Sequence, residues 1–241
     1  MRADSLLNRL FTFCVETVFP ASCYGCASAD SYLCEDCVGR VGALPQPQCP
    51  HCGTRLPFGE LPKACRAHLR VSRFFCCANY RDPSVRAIIH DFKYQRAFAL
   101  ADPLAQYMYA WLVRNGYATI FTKENVLVVP VPSHPRRQRE RGFHPAGKLA
   151  ELFARHMNLE YTADALIKIR NNQAQVETKN ATERRENVKG VFVLNKPELV
   201  RGRTILIVDD VCTTGATLTE CAKAIRRGNP KAIWGLVLAK D

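Results

Sequence analysis

The chain has 241 residues, 47% of them hydrophobic, which is enough to bury a sizeable core. Its 34 basic residues against 22 acidic ones leave a net charge of +12, which favours an anionic partner: nucleic acid, a phosphorylated ligand or an acidic protein. No apolar run approaches the ~20 residues that span a bilayer, so a membrane span is excluded and a cytoplasmic location is expected.

The stretch from Leu6 to Phe19 is apolar, but Arg9 and Glu16 interrupt it and no clear small-residue cleavage site follows. Leu6, Leu7, Leu10, Phe13 and Val18 fall roughly at helical spacing, which predicts an N-terminal docking helix within residues 1–20. Nine of the twelve cysteines then lie between Cys23 and Cys77. Three of the pairs are C-x-x-C: Cys23 and Cys26, Cys34 and Cys37, Cys49 and Cys52. Such a turn aims two thiolates at one centre, and tetrahedral zinc needs two of them. Cys65 and His68 make a fourth half-site. Residues 21–72 therefore read as a small zinc-binding module of the double zinc-ribbon kind. Sequential and interleaved pairing of the turns both satisfy the spacing. With little apolar sequence between the knuckles, metal supplies the folding energy, and the role is structural or a grip on nucleic acid or a partner. Disulfides need an oxidising compartment that the missing secretion signal argues against. Cys76 and Cys77 lie in an apolar strand from Phe74 to Tyr80 and are expected as buried thiols.

Residues 73–241 read differently. Ser84 to Phe92 and Ala99 to Val113 predict helices, Val126 to Val131 a strand, and Ser133 to Phe143 a basic loop. Pro145 opens another helix. Leu166 to Ile169 and Val191 to Leu194 are short strands, separated by a polar segment from Asn171 to Asn187 with no apolar face. A structureless loop of that length in a compact domain is uncommon and often a lid. Thr204 to Val208 is a strand, Ala216 to Arg227 a helix closed by Gly228, and Ala232 to Leu238 a last strand. Strands alternating with helices imply an α/β fold with a mostly parallel sheet, whose ligands bind beyond the carboxyl ends of the strands.

One such end carries Asp209-Asp-Val-Cys-Thr-Thr-Gly-Ala-Thr217. Gly215 permits a positive φ and a close backbone approach, and the amides opening the next helix suit a phosphate. The two acids repel a phosphate but accept hydrogen bonds from vicinal sugar hydroxyls. Two acids and three threonines around one glycine exceed what a helix cap requires.

This segment resembles the 5-phosphoribosyl-1-pyrophosphate (PRPP) motif of type I phosphoribosyltransferases. With the cysteine-rich head, Val129-Pro-Val-Pro132 and Arg141-Gly-Phe143, nearly the whole chain resembles the ComF/GntX family of predicted amidophosphoribosyltransferases. The resemblance implies that Asp209 and Asp210 hold the ribose hydroxyls, directly or with magnesium. It implies that Val211, Cys212, Thr213, Thr214, Gly215, Ala216 and Thr217 form the 5-phosphate loop. Ser133 to Arg141, with Arg137 and Arg141, would meet the pyrophosphate. Gln173, Arg184, Arg185 and Asn187 would belong to a mobile loop that closes over substrate and excludes water. Zinc is implied at Cys23, Cys26, Cys34, Cys37, Cys49, Cys52, Cys65 and His68. Here His144-Pro145 stand where members commonly carry Asn-Gln, and His68 stands where cysteine is usual. The implied reaction moves the phosphoribosyl group to a nitrogen acceptor. The family's link to DNA uptake in natural transformation implies instead a protein handling single-stranded DNA beside DNA-uptake proteins. A PRPP sensor without turnover is a third possibility.

Overall fold

Three strands rich in Val, Ile and Leu and buried on both faces form the centre of one parallel sheet. Its strands are β1 (Arg73–Asn79), β2 (Val126–Pro130), β3 (Glu160–Tyr161), β6 (Thr204–Cys212) and β7 (Ala232–Lys240), in the order β1-β7-β6-β2-β3. Every neighbouring pair is parallel. All five residues of β2 are buried, which explains its unbroken apolar sequence. β4 (Leu166–Lys168) and β5 (Phe192–Leu194) form a separate antiparallel ribbon. The α/β class and the parallel sheet expected from the sequence are both present. The computed structural model describes residues 21–29, 31–37, 42–94, 97–170 and 188–241, with the side chains of 97, 98, 137, 140 and 141 excepted. The helix expected in 1–20, and Gln173, Arg184, Arg185 and Asn187, lie outside the described residues.

Eight α-helices are seen among the described residues: α1 (Lys63–Leu69), α2 (Pro83–Tyr94), α3 (Ala97–Arg114), α4 (Ala118–Thr122), α5 (Pro135–Arg141), α6 (Pro145–His156), α7 (Pro197–Val200) and α8 (Ala216–Arg226). Because side chains alternate along a strand, the sheet has two separate cores. On one face Phe75, Leu206 and Val208 pack with Ile88 and Phe92 of α2, Trp111 of α3 and Phe153 of α6. On the other, Phe74, Ile205 and Ile207 pack with Leu218 and Ile225 of α8, with Leu166 and Phe192 of the ribbon, and with Leu69 of α1.

The cysteine-rich segment divides between these faces. Leu33 joins the first core, whereas Cys49, Leu56, Leu61 and Cys65 join the second. The chain between them crosses the edge of β1, where Leu44 N donates to Cys77 O at 2.9 Å and Trp111 Nε1 donates to Leu44 O at 2.6 Å. That crossing covers an edge strand that would otherwise present unpaired backbone groups.

Two differences from expectation bear on the site. The basic loop after β2 contains α5, opened by Pro135 and by His134 Nδ1, which accepts from Arg136 N at 3.2 Å. Dense charge hid this helix, since it has no apolar face to count. β6 also runs on through the acid pair to Cys212, because β7 pairs with it as far as Lys240.

Candidate functional site

The alternation of β6 sends its two acids to opposite faces. Asp210, 8% exposed, turns toward α2, where Lys93 Nζ lies 3.0 Å from its Oδ2. Asp209 is held by its own neighbour, with Asp210 N donating to Asp209 Oδ1 at 2.9 Å. Burial, and then the adjacent Asp210 charge, raise the Asp209 carboxyl far above the carboxylate range. Burial alone would lower the pKa of Lys93, but Asp210 outweighs it and the ammonium is held charged. An acid pair with Asp210 buried, Asp209 half-buried and one cation beside it costs folding energy, and such sites cluster where ligands bind.

Beyond the pair the chain turns. Gly215 takes φ +75° and caps α8, as its motif predicts. Its carbonyl accepts from Thr219 N at 2.9 Å and from Thr219 Oγ1 at 2.8 Å, so the inner side of the turn is tied down. Ala216 N reaches Thr214 Oγ1 at 3.4 Å. Among the described residues no acceptor meets the amides of Thr214 and Thr217. Thr213, Thr214 and Thr217 are half-buried, so these donors stand at the surface of the turn. Val211 is half-buried against the first core, and burial pushes the Cys212 thiol up to about 12, which leaves it a packing residue.

The end of β2 runs alongside, with Val131 N donating to Val208 O at 2.9 Å. Two residues further on, the Ser133 hydroxyl is buried and unpartnered among the described residues. The contrast with the opposite end of the sheet is sharp: there the buried Thr204 hydroxyl donates to Glu124 at 3.1 Å, and Lys231 reaches the same carboxylate at 2.7 Å. A buried hydroxyl without a partner among the described residues, at the carboxyl end of the sheet, marks a place where a polar group can be received. His144 Nε2 donates to Val131 O at 2.9 Å, and burial lowers its pKa, so the neutral ring ties α6 to the end of β2. α5 presents Arg136 and Arg139 to solvent, while the side chains of Arg137 and Arg141 lie outside the described residues.

The cysteines gather into two clusters, each with its sulfurs within 4.8 Å of one another. Cys23, Cys26, Cys34 and Cys37 form one; Cys49, Cys52 and Cys65 form the other. The sulfurs are therefore grouped in sequential order. In the first cluster Gly25 N and Cys34 N each donate to Cys23 Sγ at 3.4 Å. Burial opposes the Cys23 thiolate, but amides of Cys34, Cys26 and Gly25 overcome it and lower the pKa to about 6. Cys37 is pushed up to about 12, first by its contact with Cys34 and then by burial. The second cluster repeats the split: Thr54 brings Cys52 down to about 7, while burial and then Cys52 push Cys65 up to about 12. Four converging sulfurs with amides aimed at them fit structural zinc in the first cluster, and among the described residues the second supplies three of the four ligands such a site uses. His68 departs from expectation. Cys65 and Leu69 take the buried side of α1, and His68 stays exposed, its ring stacked on His51 at 4.1 Å between centroids rather than joining the sulfurs. His68, Arg70, Lys189, Thr214 and Lys223 line a groove of about 370 Å³ between α1 and α8.

The family model for the phosphoribosyl transferase domain matches residues 109–241, which contain the acid pair, the turn and Ser133. The chain belongs to the phosphoribosyl transferase domain family. It is 29% identical over 217 residues to competence protein F of Haemophilus influenzae, covering 88% of this chain and 92% of that one. It is 28% identical to the DNA utilization protein YhgH of Escherichia coli K12, covering 83% of this chain and 87% of that one. Competence protein ComFC of Streptococcus pneumoniae is 27% identical, with 85% and 86% covered. Among solved structures, a glutamine PRPP amidotransferase from B. subtilis matches 58% of this chain and 26% of its own at 14% identity, with a TM-score of 0.38.

Within this phosphoribosyl transferase domain, Asp209, Asp210, the Thr213–Thr217 turn and Ser133 gather at the carboxyl ends of β6 and β2. Lys93 was not singled out from the sequence. It follows the apolar face Val85, Ile88, Ile89 and Phe92, and no spacing links it to an acid in the last third of the chain. Among the described residues no helix is long and apolar enough to cross a membrane.

Proposed function

We propose that the protein binds PRPP with magnesium and transfers the phosphoribosyl group to a nitrogen acceptor. The observation that carries this reading is the acid pair, Asp210 buried and Asp209 half-buried, placed between the Ser133 hydroxyl and the amides of a glycine turn, donors without a partner among the described residues. Asp209 and Asp210 accept hydrogen bonds from the ribose hydroxyls and are the residues suited to hold magnesium. The amides and hydroxyls of Thr213 to Thr217 take the 5-phosphate at the α8 N-terminus. Ser133, with Arg137 and Arg141, meets the pyrophosphate. The nitrogen lone pair forms the new bond to the anomeric carbon while the bond to the pyrophosphate oxygen breaks and its electrons leave with that group. Magnesium supplies neutralising charge to this leaving group. The enzyme's share is to position the two reactants and keep water away. Zinc at the two cysteine clusters contributes folding energy, and residues 21–72 act as a module beside the catalytic domain 73–241.

A thermal-shift titration tests the reading. PRPP with magnesium raises the melting temperature of the wild type, and the paired changes Asp209→Ala and Asp210→Ala abolish the rise. Unchanged melting at millimolar PRPP would count against it.

A second reading is favoured by the basic groove of Arg70, Lys189 and Lys223, by exposed Arg136 and Arg139, and by relatives named for competence and DNA utilization. The protein then binds single-stranded DNA through its backbone, with an affinity that falls steeply with salt. Neutralising Arg136 and Arg139 weakens that binding. Binding indifferent to salt would reject this reading.

A further inference from the structure

We infer that the second cysteine centre is the rear wall of the phosphate turn, so that metal held there sets the affinity for PRPP; this rests on the PRPP reading above. The turn and the centre touch directly. A methyl group placed on Gly215 would lie 2.7 Å from Leu69 Cδ2 and 3.5 Å from Pro50 Cγ. Leu69 is fully buried and sits one helical turn after Cys65 on the same side of α1. Pro50 follows Cys49, also fully buried, inside the bend that leads to Cys52. Each side chain that backs the glycine is therefore within one turn of a clustered sulfur. The far end of α8 is tied to the same helix, with Arg226 Nη2 donating to Arg70 O at 3.1 Å.

The wall decides how the turn points its donors. Gly215 is held left-handed, and the amides of Thr214 and Thr217, which no acceptor meets among the described residues, stand on either side of that bend. If Leu69 and Pro50 withdraw, the turn loses what presses it into this shape, and donors preorganised for a phosphate become free to reorient. Cys49, Leu56, Leu61, Cys65, Leu69 and Val71 all belong to the second core, so a metal shared by the sulfurs would add a direct tie to the packing that holds α1 against the Cys49 bend. Among the described residues the first cluster shows no such contact with the turn. Its side chains reach the other core, where the Tyr24 hydroxyl donates to Asp91 of α2 and Leu33 packs below.

The test is calorimetric titration of the full chain with PRPP and magnesium, at a temperature where every variant is folded, with bound zinc measured alongside. Cys52→Ser removes one sulfur of the second centre. Leu69→Ala leaves the sulfurs intact and takes away the contact with Gly215. Leu33→Ala loosens the other core and serves as the comparison. Both Cys52→Ser and Leu69→Ala should weaken PRPP binding about tenfold or more, Leu69→Ala while keeping its zinc, and Leu33→Ala should stay within about twofold of the wild type. Should Cys52→Ser fail to fold, Leu69→Ala decides alone. Wild-type affinity in a zinc-loaded Leu69→Ala protein overturns the inference, as does an equal loss in Leu33→Ala. A wild type that does not bind PRPP at all defeats the functional reading instead.

Discussion

The two cysteine clusters are written in nearly the same motif yet stand on opposite faces of the sheet. The first braces the face of α2, the helix that sends Lys93 to Asp210. The second braces the face of α8 and lies against the glycine turn. Both faces meet at the carboxyl end of β6, so a single strand collects support from both metal-type centres. Equal motifs thus do unequal work: one backs the cation beside the acids, the other backs the glycine turn. Alternation along β6 makes this division possible, because adjacent residues Asp209 and Asp210 face different cores.

Three changes strain this comparison, beginning with the largest. Gly215→Val attacks the α8 side alone. It forces a β-branched residue into φ +75° and drives a side chain into Leu69. We expect PRPP binding to fall below detection by calorimetry, with a drop in melting temperature of several degrees. Normal binding would show that neither the left-handed bend nor the Leu69 contact matters.

Lys93→Met attacks the α2 side. It leaves Asp210 without its ammonium in a mostly buried position, and we expect a loss of about 1–2 kcal/mol in ligand-free stability, less than for a fully buried pair because both groups keep some solvent. Magnesium should raise the melting temperature of this variant more than that of the wild type, since the cation replaces the missing charge. Equal magnesium responses would disconnect Lys93 from the acid pair.

The mildest change is Asp209→Asn, read as a pH profile of stability without ligand. The Asp209 pKa is raised in the fold by burial and by Asp210. Stability linked to its proton is therefore present in full below the unfolded aspartate value of about 3.9 and is lost as pH rises through the raised folded value. Asp209→Asn cannot ionise, so its melting temperature should fall less than the wild type's between mildly acidic and alkaline pH. Parallel profiles would mean the carboxyl is already ionised at low pH.

The sequence revealed this end of β6 well because its chemistry is local. Acids, threonines and glycine are consecutive, and Gly215 adopts the positive φ that its place demanded. The parallel sheet was legible for a similar reason, since each buried strand is a short apolar run between helices. What stayed hidden depends on distance or on missing contrast. The Lys93 pair joins residues far apart in the chain, and β1 lies against β7 although it comes first. α5 has no apolar stripe, so its seven residues looked like a basic loop. His68 has the spacing of a ligand, but the buried face of α1 is taken by Cys65 and Leu69. The sequential grouping of the sulfurs also needed three dimensions, as both pairings satisfy the same spacing.

The most direct measurement is a calorimetric titration of the wild-type chain with PRPP, with and without magnesium, beside the Asp209→Ala and Asp210→Ala double variant. We expect saturable one-site binding that needs magnesium and vanishes in the double variant. No heat at millimolar PRPP, or binding that survives loss of both carboxylates, would contradict the claim that this strand end is a PRPP site.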